Sequence, residues 1–285
     1  MSIEGACLCG GVRYALDGPL QSMTHCHCSM CRKHSGAAFM TFVTSPLGSL
    51  RWTAGEDLIR RYRASEAGDR CFCGVCGSSL PDEFQAWGIV AAPAASLKGE
   101  LGLWPQSHMF VASKASWYEI TDRLPQYPAY RPSVDLPDLE RPEVAAEPGL
   151  VLGSCLCGAI AYEADADRMI QARNCHCTRF RHQTAAAHAS NLFAPLGALR
   201  FRRGEALRVI WKLPEAERFA TGFCGQCGGI VPRPIEKLGR YLIPMGSLDT
   251  DSGVRPSSHI FVADKAPWFE ITDGLPQYEG YPPAS

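Results

Sequence analysis

The 285-residue chain is 46% hydrophobic and 20% charged with a formal net charge of −1, values that place it among globular proteins and exclude wholesale disorder. No basic field is available to recruit nucleic acid or an anionic surface, and no apolar run reaches the roughly 18 residues of a membrane span. The start, Met1-Ser2-Ile3-Glu4-Gly5, has neither the basic nor the apolar region of an export signal, so a soluble, cytoplasmic protein is expected.

With 27 glycines and 21 prolines, short strands and turns are favoured over long helices. In chain order, Cys7-Leu8-Cys9-Gly10 reads as a tight turn, and the alternation of Val12, Tyr14 and Leu16 reads as a strand. Cys26-His27-Cys28-Ser29-Met30-Cys31-Arg32-Lys33 leads into the one stretch with helical character, of one or two turns. Short strands are expected at Ala38–Val43, Leu50–Trp52 and Met109–Ala112, with a Cys73-Gly74-Val75-Cys76-Gly77 knuckle between the last two. Pro128 to Glu147 carries Pro128, Pro132, Pro137 and Pro142 with Arg131 and Arg141 among scattered acids, the composition of a stiff linker. The pattern then begins again. Cys155-Leu156-Cys157-Gly158, the Ile160/Tyr162 alternation, strands at Leu207–Trp211 and Tyr241–Ile243, and a Cys224-Gly225-Gln226-Cys227-Gly228 knuckle make the class mainly β.

That recurrence is a duplication. Gln106–Tyr127 and Ser257–Tyr278 are identical at 16 of 22 positions at an offset of 151, and the two knuckles fall in the same register. A period this long is that of duplicated domains rather than a solenoid. The expected organisation is a first domain over residues 1–128, a linker over 129–150 and a second domain over 151–285.

The 14 cysteines, in a chain of this length without an export signal, point to metal rather than a disulfide scaffold. Zinc takes four ligands tetrahedrally, and close C-x-C and C-x-x-C pairs present two thiolates to one ion, whereas disulfides at such spacings would be strained. Cys7, Cys9, Cys73 and Cys76 make one closed set; Cys155, Cys157, Cys224 and Cys227 make the same set in the second repeat. Cys26, Cys28 and Cys31 supply three thiolates and leave a fourth position open, which distinguishes a reactive from a structural zinc. Either His27 or Cys71 could close that position. Cys71, opposite Gly222 in the repeat alignment, is open to reading as a ligand, a reactive thiol or a small buried thiol. In the second repeat the run is Cys175-His176-Cys177-Thr178-Arg179-Phe180, and Phe180 in place of the third cysteine makes a poor zinc site. Three zinc ions are therefore expected, two structural and one open.

These motifs, together with the Lys114…Trp117…Leu124-Pro125-Gln126-Tyr127 ending, resemble the glutathione-dependent formaldehyde-activating enzyme family, which includes centromere protein V. The resemblance implies β-tent-type zinc domains and a carbon–sulfur lyase that adds glutathione reversibly to formaldehyde, giving S-hydroxymethylglutathione. It makes Cys26, Cys28 and Cys31 the ligands of the catalytic zinc. Arg32 and Lys33, beside that site, are the candidates to meet an anionic thiol such as glutathione. His108 and His259, Trp117 and Trp268, and Tyr127 and Tyr278 read as structural, and Lys114 and Lys265 as solvated. The alternative to an enzyme is a zinc-stabilised binding or scaffold module. Nothing in the sequence fixes the oligomeric state.

Overall fold

The computed structural model describes residues 2–66, 68–131 and 144–283. It is mainly β and built from two similar halves. In the first, Ile3–Ala6, Arg13–Leu16 and Leu50–Ala54 form a three-stranded antiparallel sheet. A six-stranded sheet follows the order Gln126–Tyr127, His108–Met109, Ser22–Cys26, Met40–Pro46, Ile89–Pro93, Asp82–Phe84. A two-stranded ribbon, Ile59–Ser65 with Gly68–Cys73, carries the knuckle. The second half repeats each part, with Gln171–Cys175 and Ala189–Pro195 at the centre of its six-stranded sheet and Arg208–Lys212 with Ala220–Cys224 as its ribbon.

The expected helical stretch is Ser29–Ser35, ended by Gly36 at φ 71°, a left-handed position that glycine occupies without steric cost. Its counterpart, Thr178–Thr184, ends on Ala185 in the same conformation. The strand read at Ala38–Val43 lies at Met40–Pro46, because the chain first turns out of that cap. The strand read at Met109–Ala112 is cut to His108–Met109, since Phe110 is left-handed (φ 58°) and Val111–Ser113 coils into a 3-10 turn. Pro132, Pro137, Arg141 and Pro142 of the expected linker lie outside the described residues. Its first residues do not behave as linker: Tyr130 packs edge-on against Phe110, with ring centroids 4.6 Å apart.

The halves share one core. Tyr14, Leu16, Val43, Val90 and Trp117 of the first are continuous with Tyr162, Leu192, Ile243 and Trp268 of the second, all buried. Reciprocal contacts close the seam. The Phe72 ring sits against Gly228 and the Phe223 ring against Gly77, the two rings meeting edge-on at 6.3 Å. Each glycine is left-handed, and a Cβ on either would come within 2.5 Å of the opposing ring. Gly77→Ala is therefore expected to cost about 2–4 kcal/mol, combining backbone strain with overpacking. A urea unfolding curve measures this, and an unchanged midpoint would remove the contact from the account of the seam.

Candidate functional site

Metal-binding character rests on where the sulfurs fall. The Sγ atoms of Cys7, Cys9, Cys73 and Cys76 lie within 4.8 Å of one another, as do those of Cys155, Cys157, Cys224 and Cys227. Cys7 and Cys9 are 3.3 Å apart and Cys9 and Cys73 3.8 Å, near the ~3.8 Å edge of a tetrahedron with Zn–S bonds of ~2.3 Å. All 14 cysteines are free thiols. The turns bring this about: Gly10 N–H donates to Cys7 O and Gly77 N–H to Cys73 O, folding each backbone beneath its sulfurs. The donor sets fit zinc.

The third group is Cys26, Cys28 and Cys31, also within 4.8 Å, and among the described residues no further group of three or more joins these sets. Cys26 ends a strand, Cys28 caps the short helix by accepting from Cys31 N–H at 3.4 Å, and Cys31 lies one turn on, 3.3 Å from Cys26 Sγ. Hydrogen bonds from Cys26 and Cys31 hold the Cys28 thiol well below its ordinary value, and the same sharing drives Cys26 well above it. Such a cluster gives up its remaining protons to a soft metal ion.

Neither residue considered for the fourth position enters the group. His27, between two ligands, turns the other way, its Nε2 2.8 Å from His108 Nδ1. His108 Nε2 in turn meets Asp122 at 3.0 Å. His176, His259 and Asp273 repeat that chain in the second half with the same spacings. Burial pushes His27 down to about 3 and His176 to about 2, so both are neutral hydrogen-bonding struts across the strands. Cys71 is fully buried, receives Arg61 Nη1 at 3.1 Å and has its thiol pushed up by burial, the signature of an inert core cysteine. Gly222 opposite it has no space for a side chain, since a Cβ would stand 2.9 Å from Val231 O.

The three sulfurs open into a cavity of about 300 Å³ lined also by Arg70, Phe84, Trp87, Phe110, Tyr130 and Arg131. Arg70 reaches the sulfurs directly. It is buried, its Nη2 donates to Cys31 Sγ at 3.7 Å, its Nη1 to Asp69 O at 2.9 Å, and its Nε has no partner. Asp82 lies behind it, accepting from Cys71 N–H at 2.8 Å, and burial lifts its carboxyl to about 6 against the pull of Arg70. Arg131 is pinned to the wall by Thr24 Oγ1 and Ser107 Oγ at 2.8 and 2.9 Å.

Lys33 does not reach this cavity. It is buried in the seam, 2.5 Å from Asp249 and donating to the Ser154 and Ser247 carbonyls, so the anion-binding role expected of it does not fit its place. Arg32, on the same helix, is not part of the lining either. Lys114 and Lys265 are partly exposed, and each ammonium also closes its own turn on a carbonyl, Tyr118 O and Phe269 O.

In the second half the corresponding place is filled. Phe180 packs edge-on against Phe219 at 5.0 Å, over Leu213 and Ala216, and the cavity left there is about 10 Å³. At the repeat offset Thr221 stands for Arg70 and Arg233 for Asp82. Sequence reasoning missed the Arg70/Asp82 pair, and this exchange between repeats is the signal that could have found it.

The family model for glutathione-dependent formaldehyde-activating enzymes matches residues 2–113 and again 150–264. The chain belongs to that family, as a tandem duplicate. A Halomonas elongata protein carrying the family's name is 30% identical over 131 residues, 43% of this chain and 83% of that protein. An uncharacterised Schizosaccharomyces pombe lyase is 29% identical over 77 residues, 27% of this chain and 54% of that protein. A solved Rhodobacter sphaeroides protein is similar at 25% identity over 34% of this chain and 89% of its own, with a TM-score of 0.30. Both halves of this formaldehyde-activating-enzyme family member keep the four-cysteine set; among the described residues the first half alone brings three further sulfurs to a cavity. Among its described residues no helix is long and apolar enough to cross a membrane.

Proposed function

We propose that the chain is a zinc-dependent carbon–sulfur lyase acting on a thiol–aldehyde adduct of the S-hydroxymethylglutathione type through its first half. The second half (residues 151–285) is in this reading a folded packing partner of the first domain (1–128). The observation that carries it is the three-sulfur group opening into a cavity beside a buried guanidinium, an arrangement one repeat has and the other lacks. Family membership supports the reaction class. Cysteines grouped as metal ligands rather than as disulfides suit a reducing, cytoplasmic setting.

Cys26, Cys28 and Cys31 would hold the zinc, which when bound would lower the pKa of a thiol beside it toward neutrality. Arg70, within reach of Cys31 Sγ, offsets the negative charge of the sulfurs and lends them N–H donors. The apolar walls keep water from the sulfurs and hold thiol and carbonyl together, so the protein works chiefly by proximity. Three thiolates would temper the Lewis acidity of a bound ion, so orientation by the cavity and the charge of Arg70 are the chain's own means of favouring the carbon–oxygen dipole.

Elemental analysis of the reduced chain is expected to give three zinc ions, one for each cysteine group. Cys28→Ser is expected to lose one ion, glutathione affinity and adduct cleavage while melting close to the parent. Unchanged glutathione affinity in Cys28→Ser would refute the assignment. Zinc in all three groups without thiol affinity would favour the non-catalytic module.

A further inference from the structure

The cavity is far larger than a one-carbon aldehyde needs. Its volume is about 300 Å³, whereas a water molecule occupies ~30 Å³ and an apolar cavity of ~150 Å³ accommodates benzene. Its outer wall is a continuous run of aromatic rings. Phe84 and Trp87 stack nearly parallel with centroids 4.8 Å apart, Trp87 meets Tyr130 edge-on at 5.7 Å, and Tyr130 meets Phe110 at 4.6 Å. Met30, Phe42 and Ile89 add further apolar surface.

Comparison of the repeats separates this wall from the needs of the fold. Strand Arg233–Ile235 and the 3-10 turn Glu236–Leu238 reproduce Asp82–Phe84 and Gln85–Trp87, with Ile235 and Leu238 in place of Phe84 and Trp87. Asn191 stands in place of Phe42. The same backbone therefore forms without the three rings, in the half that has no open sulfur group. The Phe110–Tyr130 contact recurs as Phe261 with Tyr281, edge-on at 4.9 Å, and belongs to the fold. Phe42, Phe84 and Trp87 occur only beside the open sulfurs, which assigns those three rings to whatever the sulfurs act on.

We propose that the cavity seats an apolar, ring-sized substituent on the carbon of the adduct, so that the preferred carbonyl partner is an aromatic or similarly bulky aldehyde rather than formaldehyde. This rests on the reading of the three-cysteine group as the thiol site. The thiol sulfur lies at the cysteine group, the ring lies against Phe84, Trp87 and Phe42, and the oxygen lies on the side of the cavity that Arg70 lines. In the forward direction the sulfur–carbon bond forms as the carbonyl π bond opens, and the proton lost from the thiol ends on the oxygen. Cleavage returns that proton to sulfur and restores the carbonyl, with no oxidant or reductant involved. Glutathione, with its several charges, keeps its peptide body outside a cavity whose charged groups are Arg70 and the already pinned Arg131.

Benzyl mercaptan reproduces the sulfur–carbon–ring framework of such an adduct and does not dissociate. Calorimetric titration of the zinc-loaded full chain compares it with 2-mercaptoethanol. Benzyl mercaptan is expected to bind about tenfold tighter or more, the usual effect of burying a ring. Trp87→Leu and Phe84→Ile, residues the second half already uses at these places, are expected to remove most of that preference, lowering benzyl mercaptan affinity about tenfold more than 2-mercaptoethanol affinity. Equal affinities in the parent, or a preference that survives both substitutions, overturns the inference while leaving the thiol site intact. Failure of both thiols to bind overturns the thiol-site reading and this inference with it.

Discussion

Cys73→Ser and Cys224→Ser are each expected to abolish the cooperative thermal melt. Each serine breaks a closed four-sulfur set that ties the start of a half to its middle, across 64 residues for Cys9 to Cys73 and 67 for Cys157 to Cys224. Zinc closed by such a set contributes ~10–16 kcal/mol in isolated zinc modules, while a whole domain is stable by only ~5–15 kcal/mol. Losing most of the first exceeds the second. The damage should cross the seam, because the ribbons carrying these sets also carry Phe72, Gly77, Phe223 and Gly228, and Thr221 Oγ1 donates to Cys76 O at 3.0 Å. Circular dichroism melts with parallel zinc analysis check this. Cys28→Ser is the reference: an equal loss in that variant would make the third group structural as well.

Lys33→Met is expected to destabilise the chain by about 3–5 kcal/mol, the usual result of leaving one member of a buried ion pair alone. Lys33 and Asp249 are 8% and 11% exposed along their side chains, and the ammonium also satisfies the Ser154 and Ser247 carbonyls. The double variant Lys33→Met/Asp249→Leu should recover much of the loss, since it removes both charges together. Chemical denaturation of the two variants and the parent decides the matter; a single variant as stable as the parent would mean the pair contributes little. The pair also makes the seam asymmetric. On the opposite side the repeat offsets put His182 and Lys98 in the corresponding places, and burial followed by neighbouring cations pushes His182 down to about 4. One side of the seam is thus an attractive pair, and the other is kept tolerable by a neutral imidazole. This charge arrangement suits a first half packed on a second better than two identical halves packed together.

Much of this was already in the order of the residues. The duplication, the mainly β class and all three cysteine groups were legible in the chain, because each C-x-C or C-x-x-C-G turn places a pair of sulfurs locally and the repeat shows which two pairs recur together. Phe180 marked the lost site for the same reason.

Other features came only with the tertiary structure. Lys33 and Arg32 adjoin Cys31 in sequence, and adjacency suggested an anion site; the helix instead turns Lys33 into the seam, toward Asp249 of the other half. Arg70, 39 residues from Cys31, became the guanidinium at the sulfurs because the Gly68–Cys73 strand folds back beside the helix. Tyr130 and Arg131, in a stretch whose prolines read as linker, close the cavity by packing on Phe110 and Thr24. The cavity itself is the space left among several strands, and no local pattern encodes it. Presenting two or three sulfurs on a short turn is a local property, so the sequence determined the ligand pairs; charge pairing, burial and the cavity wall depend on contacts between residues far apart in the chain, so only the fold decided them.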